Sequence, residues 1–493
     1  MARNWLPSAP DLVFALAAPL TAILGAVMLT QADGDLTAHI RMGDQILAMG
    51  RIPSHSLGSY TAGTDPMVAH SWLSEVFFAL LFRAGGLPLI CVVVGIIIGL
   101  THGSIGLWLR RRKVDARWAL VAALLSLAMA SIHWLARPHL FSIVGAAATI
   151  WLLESRRSGR QAYFLIFFVL WANLHGGWLY GLAIIGAYVA GDLAEAFASG
   201  DRSTWLRRAR NDTTSFGIAA FGTLLNPFGL ALHREVLSAV TNSSLARNMS
   251  EFQPANFHEL SQVPFLLALG FTIVLLLRFN RRMPFPWLFV VLMSVLFGLR
   301  ASRNIALFAV SAWPLIALHA ARSDLLDGRQ FPFFAEFARL DRNTRVGWLA
   351  APVAVLLLLL GLNRGSVGHA QVIADHFDSR VFPVAAVDRA RQASLSGRVF
   401  GAWRWSGYIM YAWPEASLHV DPLKFSDTTL VSYTAIEDLH SDWLAQLSRW
   451  QVKTIIFPTR SPLARQLDTA PGWKLWYRDS TAVVFRATTA NIM

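Results

Sequence analysis

Apolar residues in this chain gather in long blocks, not in the alternations or 3.6-residue stripes of a water-soluble fold. Filtering for runs near the ~20 residues that cross a bilayer gives segments at 11–30, 87–109, 118–135, 139–153, 162–173, 177–197, 213–230, 263–279, 284–299, 304–320 and 346–362. Several are short, but charges bound them, and the pattern predicts about eleven transmembrane helices. The first, Leu12 to Leu29, has span length and no small-residue cleavage site after it, so it is expected to remain as a helix and not to leave as a signal peptide. Trp72 to Phe82 is too short to cross and is expected to lie along the membrane surface. Two stretches break the pattern. In 31–86, Leu36 to Met49 reads as an amphipathic helix; in 363–493, alternating runs at Ser417–Asp421, Lys453–Phe457 and Thr481–Phe485 sit between helical stretches Phe382–Leu395 and Tyr433–Trp450. The expected division is therefore a helical membrane part over 1–362, including loop 31–86, and a soluble α/β domain over 363–493, which is large enough to bury its own core.

Composition agrees with the block pattern. Of the 493 residues 55% are hydrophobic and only 15% charged, against roughly a quarter charged in soluble proteins, and the mean hydropathy is +0.45. The net charge of +13 would suit nucleic acid if it were concentrated on one soluble surface. It is not. With a cytoplasmic N-terminus, 21 Lys and Arg residues fall in inside segments, among them Arg110 to Lys113, Arg156, Arg207, Arg208 and Arg322; eight fall in the outer interhelical loops, and the 14 in the tail are nearly balanced by 11 acids. The excess is an orientation signal, which excludes nucleic acid as a partner and puts the tail on the outer side of the membrane. A single cysteine, Cys91 in an apolar run, rules out an internal disulfide framework.

Polar residues that share the outer side are the candidates for chemistry, since ionisable groups at a membrane are costly unless they serve something. Asp33 and Asp35 follow the first span, with His39 one turn beyond Asp35 on the same helical face. Such a group can act as general base, position an acceptor or hold a divalent cation such as Mg2+ or Mn2+ through oxygen ligands; equally, Asp35 can simply cap the following helix. The same side collects His70, Glu75, Arg137-Pro-His139, Asn173-Leu-His175-Gly-Gly, Asn226-Pro-Phe-Gly and Arg300-Ala-Ser-Arg303-Asn304. Arginine at a helix end often only snorkels to headgroups, yet guanidinium, imidazole and carboxylate together suit an anionic lipid phosphate and a hydroxyl to be deprotonated. Trp405, Gly407, Tyr408 and Asp421 read as fold-shaping, and His233, His258 and His319 have no assignment.

The ordered set Asp33-Gly-Asp35, His39, Gly43, Gly50-Arg-Ile-Pro53, Ser59-Tyr-Thr61, Val68-Ala-His70-Ser-Trp-Leu-Ser-Glu75, Gly85-Gly86, Arg137-Pro138, Asn173-Leu-His-Gly-Gly177, Asn226-Pro227, Arg303-Asn304, Val399-Phe400, Trp405-Ser-Gly-Tyr408 and Val420-Asp421 resembles the bacterial polytopic glycosyltransferases of the GT-C superfamily. The resemblance implies an inverting transfer of sugar from a polyprenyl-phosphate-linked donor to a lipid-linked glycan, lipid or protein acceptor, among membrane lipids. By position it makes Asp35, or else Asp33, the base, and Asp35 keeps the family spacing to His39. Thr37 and Ala38 stand where the family pattern has aromatic residues, and Ser71 where an acid is common, so substrate contacts differ there. A transporter or flippase would instead carry ionisable or Gly/Pro-broken segments at mid-bilayer and an internal repeat, and a non-catalytic scaffold would need none of the outer polar set.

Overall fold

The computed structural model describes residues 7–31, 34–56, 58–62, 66–156, 159–241, 250–278, 282–323, 341, 344–395, 397–424 and 426–488. The chain forms two compact units, one of Met1–Gly25 with Cys91–Val372 and one of Ala26–Ile90 with Ile373–Met493. The hydropathy division at residue 362 and this contact division are different cuts: by contacts, the loop between the first two apolar runs packs with the tail.

The first unit is a helical membrane bundle. Among the described residues five helices have the length and composition to cross a bilayer, Trp72–Arg111, Ala116–His133, Trp178–Ala198, Leu260–Arg278 and Ser302–Arg322; Ala9–Leu24, Leu140–Ser155, Arg160–Leu174, Phe285–Arg300 and Ala350–Leu362 are apolar but shorter. These ten match the expected runs in position, and the seventh run falls in the helix Arg202–Leu224. Eleven runs are thus helical, with bilayer-spanning length in five of them. We number the helices α1 Ala9–Pro19, α2 Ala26–Gln31, α3 Asp35–Met49, α4 Trp72–Arg111, α5 Ala116–Ala130, α6 Leu140–Ser155, α7 Arg160–Leu174, α8 Trp178–Ala198, α9 Arg202–Leu224, α10 Leu230–Thr241, α11 Val263–Arg278, α12 Phe285–Arg300, α13 Ile305–Arg322 and α14 Ala350–Leu362.

Helix α13 is buried on nearly every side from Ile305 to Ala320, the mark of a central helix. In a dry bundle polar side chains must find partners within the protein. Here the Trp118 and Trp313 indoles and the Ser126 hydroxyl donate to the carbonyls of Ala317, Ala122 and Ala309 at 2.8, 2.9 and 2.7 Å, stitching α5 to α13. Gly95, Gly99 and Gly103 recur every fourth residue where α4 meets α1, and a Cβ at Gly95 would lie 2.6 Å from the Ala18 carbonyl oxygen; small residues let two membrane helices touch backbones. At the Arg-rich end, Asp212 of α9 is buried and pairs with Arg156 at 3.1 Å and with Arg160, while Glu195 of α8 takes Arg282 at 2.6 Å.

The second unit holds a five-stranded mixed sheet in the order β4-β3-β5-β7-β6, with β3 Arg398–Gly401, β4 Ser417–Leu418, β5 Val452–Pro458, β6 Trp473–Arg478 and β7 Ala482–Ala487; β1 Ser366–Val367 and β2 Ala370–Gln371 form a separate hairpin at the end of the first unit. Central β5 is buried almost throughout, as a strand covered on both faces should be. Around the sheet lie α15 Val384–Gln392, α16 Trp403–Ala412, α17 Asp427–Glu437, α18 Trp443–Arg449 and α19 Pro462–Leu467. The expected single stretch Tyr433–Trp450 is two helices, α17 and α18, because Leu439 turns left-handed at φ 56°.

The loop after α3 adds backbone to the β4 edge: Tyr60 N–H donates to Leu418 O at 3.0 Å, and Leu418 N–H to Gly58 O at 2.6 Å. Buried His419 fastens the joint. Ser432 donates to the Thr429 carbonyl, so its oxygen accepts from His419 Nε2 (2.9 Å), and Nδ1 accepts from the Tyr60 hydroxyl (3.0 Å). The ring is therefore neutral, and burial pushes its pKa down to about 4. A histidine with a depressed folded pKa binds fewer protons folded than unfolded between the two values, so stability falls as the pH drops from 6.5 toward 4. A shift of this size costs roughly 3 kcal/mol by pH 4. Thermal unfolding followed by tryptophan fluorescence should show that slope, and His419→Asn should flatten it.

Candidate active site

The second unit contains the first-loop candidates. Helix α3 starts at Asp35, with Gly34 at the N-cap position and no side-chain cap. Asp35 thus occupies the first helical turn, not the cap itself, where the helix macrodipole favours a negative charge. Thr37 Oγ donates to the Gly34 carbonyl and closes the turn. The amphipathic reading of 36–49 is matched closely by the observed helix. His39 and Glu75, 36 residues apart, come together: His39 Nδ1 lies 3.4 Å from Glu75 Oε1, both side chains nearly buried, and Glu75 Oε2 has no hydrogen-bond partner among the described residues. The contact exists because α3 presses on the first part of α4 at Gly43, which has no Cβ to hold it off.

That first part, from Trp72, is a helix of its own. Gly85 and Gly86 leave helical backbone, Gly86 at φ 65°, and divide α4 in two. The second part restarts with Leu87 N–H donating to Asp375 Oδ1 at 3.0 Å. The expected separate segment Trp72–Phe82 corresponds to the first part. His70 stands half-buried in the turn before it. Asp33 lies outside the described residues. Among the described residues no three of His, Cys, Asp and Glu gather as a metal site.

The first unit contains the remaining candidates, and it sorts them. Arg303 donates to Glu251 at 2.9 Å, and Arg137 lies 3.8 Å from the same carboxylate. The Arg303 guanidinium also covers the Phe252 ring at 4.5 Å. His139 Nε2 contacts the His133 carbonyl at 2.8 Å, with the two rings 4.0 Å apart, and His133 is within electrostatic reach of Arg303, Arg137 and His175. His175 is held precisely: Trp171 Nε1 donates to Ser142 Oγ, and His175 Nδ1 meets Ser142 Oγ at 2.7 Å and accepts the Gly177 N–H at 3.1 Å. An accepting Nδ1 leaves the proton on Nε2. Arginine, imidazole and one carboxylate therefore share one end of the bundle, with two guanidinium groups against Glu251.

Asn173, Asn226 and Asn304 do different work. Asn173 donates to the Leu225 carbonyl at 3.1 Å at the end of α9, and Asn226 builds its own turn, accepting from Phe228 N–H at 2.8 Å and donating to Thr223 O at 2.7 Å. Asn304 donates to Phe297 O at 3.0 Å, while Arg300 is exposed at the end of α12. Sequence reasoning missed Glu251 and His133. His133 ends an apolar run six residues before the flagged His139, which was a usable signal. Glu251 had none, because its partners are remote in sequence.

No family model matches the sequence, and no curated protein does. Solved structures do. The oligosaccharyltransferase AglB from Archaeoglobus fulgidus, in complex with an inhibitory peptide and a dolichol-phosphate, aligns over 98% of this chain and 74% of its own with TM-score 0.57 at 13% identity. The apo form of the A. fulgidus oligosaccharyltransferase aligns over 97% and 74% with TM-score 0.56 at 15% identity. ArnT from Cupriavidus metallidurans, bound to undecaprenyl phosphate, aligns over 97% and 98% with TM-score 0.51 at 14% identity. This chain, with helices long and apolar enough to cross a membrane, therefore shares the fold of the A. fulgidus oligosaccharyltransferase and of ArnT.

Proposed function

We propose that the protein transfers a sugar from a polyprenyl-phosphate-linked donor to an envelope glycan, lipid or protein acceptor, with inversion, at the periplasmic face of a bacterial inner membrane. The observation that carries this reading is Asp35, a carboxylate in the first turn of α3 just beyond the first apolar helix, in a fold whose solved examples hold dolichol-phosphate and undecaprenyl phosphate. Asp35 takes the acceptor hydroxyl's proton as the oxygen attacks the anomeric carbon in line with the departing phosphate. Arg137 and Arg303, two guanidinium groups against one carboxylate, supply the surplus of positive charge that a lipid phosphate needs. Labelled sugar presented on polyprenyl phosphate to membranes containing the protein should be transferred; no transfer to any acceptor fraction would refute the reading.

On this reading Glu251 occupies the guanidinium groups until phosphate displaces it. Arg303→Ala should raise the donor KM by about tenfold or more, the worth of one charge-assisted hydrogen bond. Glu251→Gln should do the opposite and lower it, since the competing carboxylate is gone. Donor titrations of the two variants check both signs.

A further inference from the structure

At the other end of α13 from Arg303, roughly 27 Å away at 1.5 Å per residue, the first unit has a cavity of about 160 Å³ lined by Arg112, Lys113, Asp115, Trp118, Leu318 and Arg322. At ~15 Å³ per water it has room for roughly ten, enough for a phosphate group with part of a glycerol. Its charge is one-sided. Asp115 is already committed: Arg117 donates to it from Nε at 2.7 Å and from its terminal nitrogen at 3.1 Å. Among the described residues Lys113 and Arg322 are exposed and have no carboxylate partner. Arg112 touches Glu154, outside the cavity, at 3.6 Å, and the Arg322 guanidinium is close enough to repel it.

The bland reading is that these cations complement the C-terminal ends of α4 and α13. It does not account for two features. Two of the terminal α4 carbonyls are already satisfied by backbone, with Lys113 N–H on Arg110 O and Val114 N–H on Leu109 O. And Lys113 sits at φ 63°, a helix-terminating position where glycine would be cheaper, so a lysine side chain is kept there against the backbone's preference. Arg112 and Arg322 are also prearranged, lying over the indoles of Trp108 and Trp287 at 3.7 and 5.1 Å. The apolar helix Ala116–His133 begins and Ser302–Arg322 ends beside this cavity, as spans do where headgroups start.

We propose that this cavity binds the phosphate of an anionic phospholipid, a second lipid site separate from the donor site and independent of the transfer reaction. Basic pockets between membrane helices suit such headgroups. The test uses the full-length protein, purified in detergent and stripped of lipid, titrated with phosphatidylglycerol, phosphatidylcholine or inorganic phosphate and read by native mass spectrometry. Phosphatidylglycerol should bind in preference to phosphatidylcholine, and the double variant Lys113→Gly/Arg322→Gln should lose about tenfold or more in occupancy. Lys113→Gly relieves the left-handed backbone, so poor folding does not mimic the effect, and the melting temperature of the variant checks it. Equal binding of the two lipids, or full occupancy in the double variant, overturns the proposal. So does inorganic phosphate that binds where phosphatidylglycerol does not, because the site would then take the free anion.

Discussion

Asp35→Asn is expected to lower sugar transfer by about 10²–10⁴-fold, the usual contribution of a positioned general base, with the donor KM little changed. Asparagine keeps the shape of the side chain and still accepts a hydrogen bond, but it cannot take a proton. The helix should survive the change, since the cap position belongs to Gly34 and not to Asp35. Asp35→Glu is the companion variant. It restores a carboxylate one methylene too long, so partial activity separates a proton-transfer role from a structural one. Single-turnover transfer in membranes, with donor binding measured separately, reads both. Wild-type turnover in Asp35→Asn would refute the assignment of the base.

What was legible in the sequence follows what each signal depends on. Apolar runs report the solvent of a segment directly, so the helices of the bundle appeared near their expected places. Helix α3 was legible because one face had to be apolar. The tail strands at 417, 453 and 481 showed the period-2 pattern, whereas β6, from Trp473 to Arg478, is an edge strand with exposure on both faces and no clear alternation. The break between α17 and α18 had no glycine to announce it. The site was half legible: the residue types were visible, but not their pairing, since His39 finds Glu75 and Arg303 finds Glu251 only through packing. Nor could hydropathy show that the first loop packs with the tail, because the joint at Tyr60, Leu418 and His419 is made by backbone hydrogen bonds and one buried imidazole.

The helix that carries Asp35 is gripped from two sides by glycines, and filling either contact should cost activity through geometry alone. A Cβ on Gly407 of α16 would sit 2.0 Å from the Gly34 carbonyl oxygen and 3.2 Å from Ala38 Cβ; one on Gly43 would sit 2.0 Å from the Glu75 carbonyl oxygen. In both cases the obstacle is backbone, which cannot swing aside as a side chain can, so α3 itself must move. Overpacking of this kind costs about 1–3 kcal/mol of stability, and a shift of about 1 Å at a catalytic group costs about 10²-fold in rate. Gly407→Ala and Gly43→Ala are therefore each expected to reduce transfer by about 10²-fold. The first displaces the start of α3, and the second also disturbs the His39–Glu75 pair. Donor affinity, which the proposed function assigns to Arg137 and Arg303, should be retained, because neither glycine touches those residues. A loss of turnover with unchanged donor affinity would tie the packing of α3 to the chemistry of Asp35. Full activity in both variants, with the protein folded, would separate Asp35 from the reaction as effectively as the Asp35 substitution itself.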